Sequence, residues 1–189
     1  HFFGDKFSRA YDVTFTGRDN TLQYPFQTSW GSSTRLIGAV IMTHGDNHGL
    51  VLPPVIAPTQ VVVIPIAQHK PGVLDAAAAL KDRLTAAGLR VAMDDSEQSA
   101  GWKFAQYEMK GVPLRVEIGP KDMEKEQCCV ARRDTGEKTF VPLAGLEDTI
   151  KGLLQDVHDN LYNMAAKNLE ENTFNVVAKI EAPKANNPE

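Results

Sequence analysis

The sequence predicts an α/β protein with a small N-terminal unit and a larger unit built on a mixed, mostly parallel sheet. Two observations predict the larger unit. Apolar, strand-like runs alternate with amphipathic helical stretches from residue 60 to residue 161, which is typical of strands joined by crossover helices. The turn sequence Asp134-Thr135-Gly136 then lies between two further strand-like runs, which indicates an antiparallel hairpin. The sheet is therefore expected to be parallel at its centre and antiparallel at its end.

The boundary between the two units is predicted by proline. Residues 52–58 contain Pro53, Pro54 and Pro58, and proline fixes the backbone and disfavours both helices and central strands. We therefore expect one domain over residues 1–57 and a second over residues 58–172. An ordinary loop within a single domain is the alternative.

The first unit is predicted to contain a hairpin and one helix. The alternation in Tyr11–Phe15 indicates a half-buried strand, and a turn over Arg18–Asn20 leads into a second strand at Leu22–Tyr24. The hydroxyls of Ser32–Thr34 are suitable helix caps, so a helix is expected to begin at Arg35 and to end near residue 45.

The second unit is predicted to alternate strands and helices before it ends in a long amphipathic helix. The predicted strands are Gln60–Ile66, Leu89–Met93, Leu114–Ile118, Cys128–Arg132 and Thr139–Val141. The predicted helices are Val73–Ala87, Ser99–Lys110 and a final one whose apolar positions run from Leu146 to Leu161. Residues 173–189 show little periodicity and are expected to be a linker or a frayed end.

The overall charge excludes one class of nucleic-acid-binding protein. The 189 residues carry 20 Lys and Arg against 24 Asp and Glu, for a formal net charge of -4. Non-specific binding to nucleic acid needs a broad basic surface that displaces counterions. Any contact with RNA is therefore expected to depend on a few placed side chains.

The cysteines and the hydropathy indicate an intracellular protein. Cys128 and Cys129 are neighbours in a predicted strand, where successive side chains point to opposite faces, so they are not expected to form a disulfide. No Cys-x-x-Cys pair supports a zinc site, and no metal site is predicted. No apolar run reaches the length of a membrane span, and a cytoplasmic location is expected. Because the first residue is His1 rather than Met, we expect the chain to be part of a longer protein; a processed N-terminus is the alternative.

The segment Thr28–Gly38 carries the chemistry that suggests a phosphate site. It places Arg35 in the first turn of a predicted helix, after three hydroxyl residues and Gly31. A guanidinium beside free backbone N–H groups is suited to bind phosphate. The alternative is a capped surface helix whose arginine pairs with a nearby carboxylate.

The run Thr28–Asp46 resembles motif 3 of the class II aminoacyl-tRNA synthetases in its prolyl form. Residues 50–58 resemble the segment that follows this motif, and His1–Phe7 looks like a segment that lines the amino-acid pocket. The resemblance implies that residues 1–57 are the C-terminal part of a catalytic core with an antiparallel sheet. Motifs 1 and 2 of that core are not found in the 189 residues.

The same resemblance implies two sets of site residues in the first unit. Ser33, Thr34 and Arg35 correspond to positions that bind ATP, with Arg35 as the catalytic arginine that stabilises charge on the triphosphate. His1, Trp30 and Gly31 correspond to the proline pocket, where a flat indole suits a pyrrolidine ring.

The segments Gly101–Glu108 and Lys110–Asp122 resemble the anticodon-binding domain shared by the prolyl, threonyl, histidyl and glycyl synthetases. The resemblance implies a three-layer α/β domain in which Phe104, Glu108, Arg115 and Lys138 contact the anticodon. Phe104 would stack on a base, and Glu108 would accept N–H donors of guanine, whereas Arg115 or Lys138 would donate to its carbonyl. The alternative for Phe104 and Glu108 is a core aromatic and a solvated acid.

The function implied by the resemblance is that of a proline-activating ligase. Such an enzyme uses ATP with Mg²⁺ to activate L-proline, transfers it to the proline tRNA, and works as a homodimer. The chain is expected to supply motif 3 and anticodon recognition, and to be inactive without motifs 1 and 2. The main alternative is a stand-alone RNA-binding module derived from such an anticodon domain; a sister synthetase such as the threonyl enzyme is disfavoured by Trp30 and by Gly101–Phe104.

Overall fold

The computed structural model describes residues 1–174 of the chain. By their internal contacts these residues form two compact units, which divide between Ala39 and Val40. This division lies within a helix and differs from the predicted domain boundary near residue 57. Residues 40–57 pack with the larger unit, for reasons given below, and the domain boundary itself stays a prediction.

The first unit consists of short strands and helices. Its elements are β1 (Phe2–Gly4), α1 (Lys6–Ala10), β2 (Phe15–Thr16), β3 (Leu22–Gln23), β4 (Gln27–Thr28) and the start of α2 (Arg35–His44). Strands β1 and β4 form one antiparallel pair, and β2 and β3 form another. The predicted start of α2 at Arg35 is confirmed.

The predicted hairpin is confirmed, but its first strand is shorter than predicted. Phe15 pairs with Gln23, and Thr16 pairs with Leu22. The prediction of a strand from Tyr11 is wrong, because Tyr11 ends α1 and its N–H donates to the carbonyl of Phe7. Helix α1 has only five residues, so it shows no helical periodicity in the sequence.

The larger unit is built on a five-stranded mixed sheet. Its elements are β5 (Val61–Pro65), α3 (Val73–Ala86), β6 (Val91–Met93), α4 (Ala100–Met109), β7 (Leu114–Ile118), α5 (Pro120–Glu124), β8 (Gln127–Arg132), β9 (Lys138–Pro142) and α6 (Leu146–Glu171). The strand order is β6-β5-β7-β8-β9. Strand β5 pairs in parallel with β6 and β7, whereas β8 runs antiparallel to β7 and β9. The predicted α/β fold with a mixed, mostly parallel sheet is confirmed.

Helices cover both faces of this sheet, which gives the predicted three layers. On one face the main core joins alternate strand residues such as Val61, Val63 and Val116 to apolar residues of α3 and α6. On the other face a smaller core joins Val62 and Ile64 to α4. Because alternate residues of a strand point to opposite faces, the odd and even positions of β5 serve different cores.

Two arginines attach residues 40–57 to the larger unit. Arg133 makes a bidentate ion pair with Asp46, with both N–O distances 2.7 Å. Its Nε donates to the carbonyl of Glu108 at 2.9 Å, near the end of α4. Arg90 donates to the carbonyls of Pro54 and Ala57, and thereby fixes the proline-rich stretch beside β6. These contacts explain why the compact unit begins before the prolines.

Two glycines let the backbone of residues 49–52 lie against the end of α4. The N–H groups of Leu50 and Leu52 donate to the carbonyls of Met109 and Gly111. A Cβ on Gly49 would come within 2.6 Å of the Met109 backbone, and one on Gly111 within 2.7 Å of the Leu50 backbone. Both also have positive φ angles, so glycine is required at each place for two reasons.

Helix α6 ends the described part of the chain. Its inner face buries Leu146, Ile150, Leu154, Val157 and Leu161, as the sequence predicts. None of the helices within residues 1–174 is long and apolar enough to cross a membrane. The predicted tail at residues 173–189 lies outside the described residues apart from its first two positions.

Candidate nucleic-acid interface

Three of the four residues predicted to contact the anticodon lie together on the α4 side of the sheet. The guanidinium carbon of Arg115 lies 4.0 Å from the centre of the Phe104 ring, and the Nζ of Lys138 lies 5.0 Å from it. The strands explain this meeting, because Ala131 on β8 pairs with Arg115 on one side and with Lys138 on the other. Arg115 and Lys138 are far apart in the sequence but lie side by side on the α4 face of the sheet, and Phe104 packs over them from α4.

A fourth member of this group, Glu117, is missing from the predicted set. Its Oε1 accepts hydrogen bonds from Arg115 Nε at 2.9 Å and from Lys138 Nζ at 3.1 Å. The side chains of Arg115 and Glu117 are only 10% and 11% exposed, so neither charge is screened by bulk water. We call Phe104, Arg115, Glu117 and Lys138 the cation cluster.

The sequence carries a signal that could have identified Glu117. Arg115 and Glu117 are two residues apart on a strand whose other members are all apolar, so they share one face. Two opposite charges on one face of a buried strand stabilise each other, since an unpaired charge there would be costly.

The predicted contact residue Glu108 does not join the cation cluster. It lies on α4 four residues after Phe104, and its backbone carbonyl accepts a hydrogen bond from Arg133. Within residues 1–174 its carboxylate makes no hydrogen bond or ion pair, and the residue is half-buried. The carboxylate is therefore available to an external donor.

The start of α4 is fixed by a buried lysine. Ser99 caps the helix by accepting the N–H of Trp102 at 3.3 Å. Lys103 is 2% exposed, and its Nζ donates to the carbonyl of Asp94 and to Gln68. Burial, together with the neighbouring Asp94 carboxylate, raises the pKa of Tyr107. These contacts hold the helix that carries Phe104 and Glu108 against β5.

In the first unit, the three predicted ATP contacts are exposed at the start of α2. Ser33 Oγ accepts the N–H of Arg35 at 3.4 Å, and the N–H of Ile37 donates to the carbonyl of Thr34. Within residues 1–174 the guanidinium of Arg35 has no carboxylate partner. Within these residues Arg35 therefore does not fit the alternative interpretation, a surface arginine that pairs with a carboxylate.

The three residues predicted for the proline pocket lie together. His1, Trp30 and Gly31, with Ser29, line an open cavity of about 540 Å³. The strand pairing places them, because the N–H of Ser29 donates to the carbonyl of His1 at 2.8 Å. Trp30 is 90% exposed, so its indole is free to pack on a ligand.

The two cysteines are free thiols on opposite faces of β8, as the sequence predicts. Cys128 lies in the main core, whereas Cys129 lies on the α4 side. Burial raises the pKa of Cys128 to about 12 and also raises the pKa of Cys129, so both thiols stay protonated at neutral pH. Among the residues that the structure describes, no group of three His, Cys, Asp or Glu side chains is placed to hold a metal ion.

The chain is similar to known proteins over nearly all of its length. Residues 60–153 match the family model described as the anticodon binding domain. The proline–tRNA ligase of Ruminiclostridium cellulolyticum is 55% identical over 181 residues, which are 96% of this chain and 37% of that protein. The enzyme of the same name from Oceanobacillus iheyensis is 54% identical over 173 residues, 92% of this chain and 36% of that protein.

A further relative, named proline–tRNA ligase 2 of Bacillus thuringiensis, is 50% identical over 184 residues, which are 97% of this chain and 38% of that protein. The chain thus spans a little over a third of the length of the curated relatives that it matches. The match includes both compact units, and the family model covers the sheet that carries the cation cluster. Residues 60–153 therefore belong to the anticodon binding domain family, and 92–97% of the chain matches part of the proline–tRNA ligases at 50–55% identity.

Proposed function

We propose that the chain is the part of a proline–tRNA ligase that recognises the anticodon of proline tRNA and contributes ATP and proline contacts to the catalytic site. The observation that carries the proposal is the cation cluster, where an aromatic ring, two cations and one carboxylate meet on one sheet face. Single-stranded RNA is recognised through stacking and through hydrogen bonds to base edges, which this set of groups can supply.

The hydrogen-bonding capacity of the cluster suits guanine, which occupies the last two positions of proline anticodons. Glu117 engages only the Nε of Arg115, and the two terminal nitrogens of Arg115 make no hydrogen bond within residues 1–174. These nitrogens, with Lys138, can donate to the guanine carbonyl. The free carboxylate of Glu108 can accept the N–H donors on the same base edge. Glu117 orients the cations and keeps the net charge of the cluster at +1.

The first unit supports the catalytic part of the proposal. Arg35 is an exposed guanidinium at a helix start, where it can bind the ATP phosphates beside Ser33 and Thr34. The cavity formed by His1, Trp30 and Gly31 can take a small apolar amino acid such as L-proline. Mg²⁺ with the ATP, a homodimer of the whole enzyme and a cytoplasmic location belong to the same proposal.

The alternative of a stand-alone RNA-binding module is not favoured. The similarity to proline–tRNA ligases continues through the first unit, which carries Arg35 and Trp30, and does not stop at residue 60.

The proposal is tested by replacing Arg115 and measuring RNA binding. Arg115→Ala is expected to weaken binding to a proline anticodon stem-loop by about 10-fold to 100-fold, since a bidentate base contact contributes about 1–3 kcal/mol. The same substitution should weaken binding much less when the two anticodon guanines of the stem-loop are replaced. Fluorescence anisotropy with both labelled RNAs measures the difference.

The matched control is Lys151→Ala, which removes one exposed positive charge from α6. It should leave both affinities close to those of the unchanged chain. Equal losses for the two RNAs with Arg115→Ala would mean that this arginine contacts only phosphate, which contradicts guanine recognition.

A further inference from the structure

Lys103 on α4 has the least exposed surface of all charged residues within residues 1–174, at 2%. Removal of a charge from water is costly, and a buried ion pair is often no more stabilising than apolar side chains of similar volume. The proposed recognition of RNA does not use this ammonium, because its Nζ is occupied by groups of the protein itself. Stability alone therefore does not account for a charge at this position.

The Lys103 ammonium is the centre of a polar network that joins three segments of the larger unit. Its Nζ donates to the carbonyl of Asp94 at 2.9 Å and to Oε1 of Gln68 at 3.1 Å. The Nε2 of Gln68 in turn donates to the carbonyls of Asp95 and Ser96, at 3.1 and 3.0 Å. Lys103 thereby ties α4 both to the segment after β5 and to the segment after β6.

The side chain of Asp94 is the charged partner in this network, and it contacts α4 at a second place. Its carboxylate lies 3.7 Å from Lys103 Nζ, is 10% exposed, and interacts with the hydroxyl of Tyr107, one turn further along α4. Burial opposes the charge of Asp94, but hydrogen bonds from Ser96 and the nearby ammonium outweigh it and lower the pKa of this carboxyl. An ion pair thus holds α4 at two successive turns.

The apolar core under α4 is much smaller than the main core on the other face of the sheet. It consists of Val62, Ile64 and Val112, with Ile66, Phe104 and Tyr107 partly buried against them. Apolar packing is not directional, so a core of this size specifies the rotation and position of a helix only weakly. A fully satisfied network of buried hydrogen bonds is directional and can specify one arrangement.

The position of α4 matters because this helix carries two of the proposed RNA contacts. Phe104 directly follows Lys103, and its ring centre lies 4.0 Å from the guanidinium carbon of Arg115. Glu108 lies one turn later and presents its carboxylate from the same helix. Hydrogen bonds to a base edge weaken steeply with distance and angle, so a displacement of about 1 Å is enough to spoil a contact.

We propose that the buried ion pair of Lys103 and Asp94 determines specificity: it fixes α4 so that Phe104 and Glu108 are placed to distinguish guanine from other bases. The pair is kept for this placement and not for stability. Both members are positioning residues, since they act on RNA only through α4. The inference rests on the proposed function, because it concerns the placement of the contacts proposed there.

The test is the double variant Lys103→Met/Asp94→Asn, which removes both charges together. Lys103→Met alone would leave a buried carboxylate without its cation and destabilise the fold. The double variant keeps the net charge of -4, so the general attraction to RNA should not change. We expect its urea midpoint to equal or exceed that of the unchanged chain, whereas its preference for the proline stem-loop over one with altered guanines should fall about tenfold.

The matched control is Leu154→Ala, which removes a buried side chain of α6 from the main core. It should lower the urea midpoint and leave the preference between the two RNAs intact. If the double variant loses urea midpoint and preference together, the ion pair serves stability and the inference is wrong. Should the double variant not fold, Gln68→Ala decides: it removes one acceptor of Lys103, and we expect about a threefold loss of preference. No loss with Gln68→Ala would equally contradict the inference.

Hydrogen exchange tests the placement of α4 directly. The backbone amides of α4 should exchange faster in the double variant than in the unchanged chain, and those of α3 and α6 should not. Equal acceleration in all three helices would mean that the pair stabilises the whole unit. A loss of RNA preference without any change in α4 would mean that the pair does not act through this helix. Either result overturns the inference.

The outcomes separate this inference from the proposed function. If the unchanged chain prefers the proline stem-loop and the double variant prefers it equally, the role of the ion pair is wrong and the proposed function stands. If the unchanged chain binds the proline stem-loop no better than a stem-loop of unrelated sequence, the proposed function fails, and the inference fails with it.

Discussion

At the scale of single residues, the central feature of the interface is that one carboxylate holds two cations. Glu117 accepts from Arg115 and Lys138 through the same oxygen, and it is largely buried. Without it, the guanidinium of Arg115 would lie at a buried position with only the ring of Phe104 as an electrostatic partner. Glu117 therefore positions Arg115 and Lys138, and in the proposed function it would act on RNA only through them.

Replacing Glu117 is predicted to lower specificity without lowering general affinity for RNA. In Glu117→Gln one negative charge is lost beside two cations, so the charge-driven part of binding strengthens. The cations lose their charged acceptor and become less fixed, so discrimination between the proline stem-loop and one with altered guanines should fall by about tenfold, or about 1.4 kcal/mol. Anisotropy titrations at several salt concentrations measure both effects.

Glu170→Gln removes an exposed acid from α6 and serves as the control for the charge change. It should leave discrimination intact. A Glu117→Gln variant that still distinguishes the two RNAs as well as the unchanged chain would show that Arg115 and Lys138 need no acceptor for their orientation.

At the scale of elements, helix α4 is fixed at both ends by charged side chains from elsewhere in the unit. Buried Lys103 ties its first turn to the residues after β6, and Arg133 ties its last turn to Asp46. Arg133 Nε also donates to a carbonyl near the helix C-terminus, where the helix dipole favours a cation. The helix that carries Phe104 and Glu108 is thus held in place before any RNA arrives.

The ion pair between Asp46 and Arg133 is predicted to contribute to stability at neutral pH. The hydrogen bonds that Arg133 donates to Asp46 lower the pKa of this carboxyl well below its usual range. Asp46→Asn should therefore lower the free energy of unfolding by about 1–2 kcal/mol, a modest value because the Asp46 side chain is 43% exposed and partly screened. Urea denaturation of the unchanged chain and of Asp46→Asn measures this difference in the free energy of unfolding.

The pH dependence of this difference follows from the direction of the shift. A carboxylate whose folded pKa is lowered stabilises the fold above its unfolded pKa of about 3.9, and the stabilisation is lost as the pH falls through the folded pKa. The two proteins should differ by a constant amount at neutral pH and converge below about pH 4. Asp82→Asn, at an exposed site on α3, is the control; an equal effect at both sites would argue against a special role for Asp46.

At the scale of the whole molecule, the 189 residues are predicted to lack activity by themselves. The resemblance assigns Arg35 to motif 3 and finds no motif 1 or 2 in the 189 residues, and the chain spans a little over a third of the length of its relatives. We expect no proline-dependent exchange of pyrophosphate into ATP with the purified chain. Exchange above the background of an Arg35→Ala control would contradict this prediction.

The larger unit was predicted well because its patterns are local and repeated. Strand β5 is a continuous apolar run, β7 alternates apolar residues with Arg115 and Glu117, and α3 and α6 show helical periodicity over many residues. Helix α1 was missed because five residues are too few to show a period. The attachment of residues 40–57 was missed because Asp46 and Arg133 are 87 residues apart, and no local pattern links them.

The interface was predicted in part, for a similar reason. Phe104, Arg115 and Lys138 were predicted from resemblance, and the sheet register brings them together. Glu117 was missed, because its contacts depend on which residues lie abreast across β7, β8 and β9. That alignment is a property of the sheet and is not visible in any one strand.

The position of β9 has a consequence for experiments on the interface. Within the described residues β9 is an outermost strand of the sheet, so its free backbone groups could pair with a strand of another molecule. Lys138 at its start and Pro142 at its end are the residue types that discourage such pairing. Lys138, for which an RNA contact is proposed, is therefore also expected to discourage self-association, and the solubility of any Lys138 variant must be measured together with its affinity.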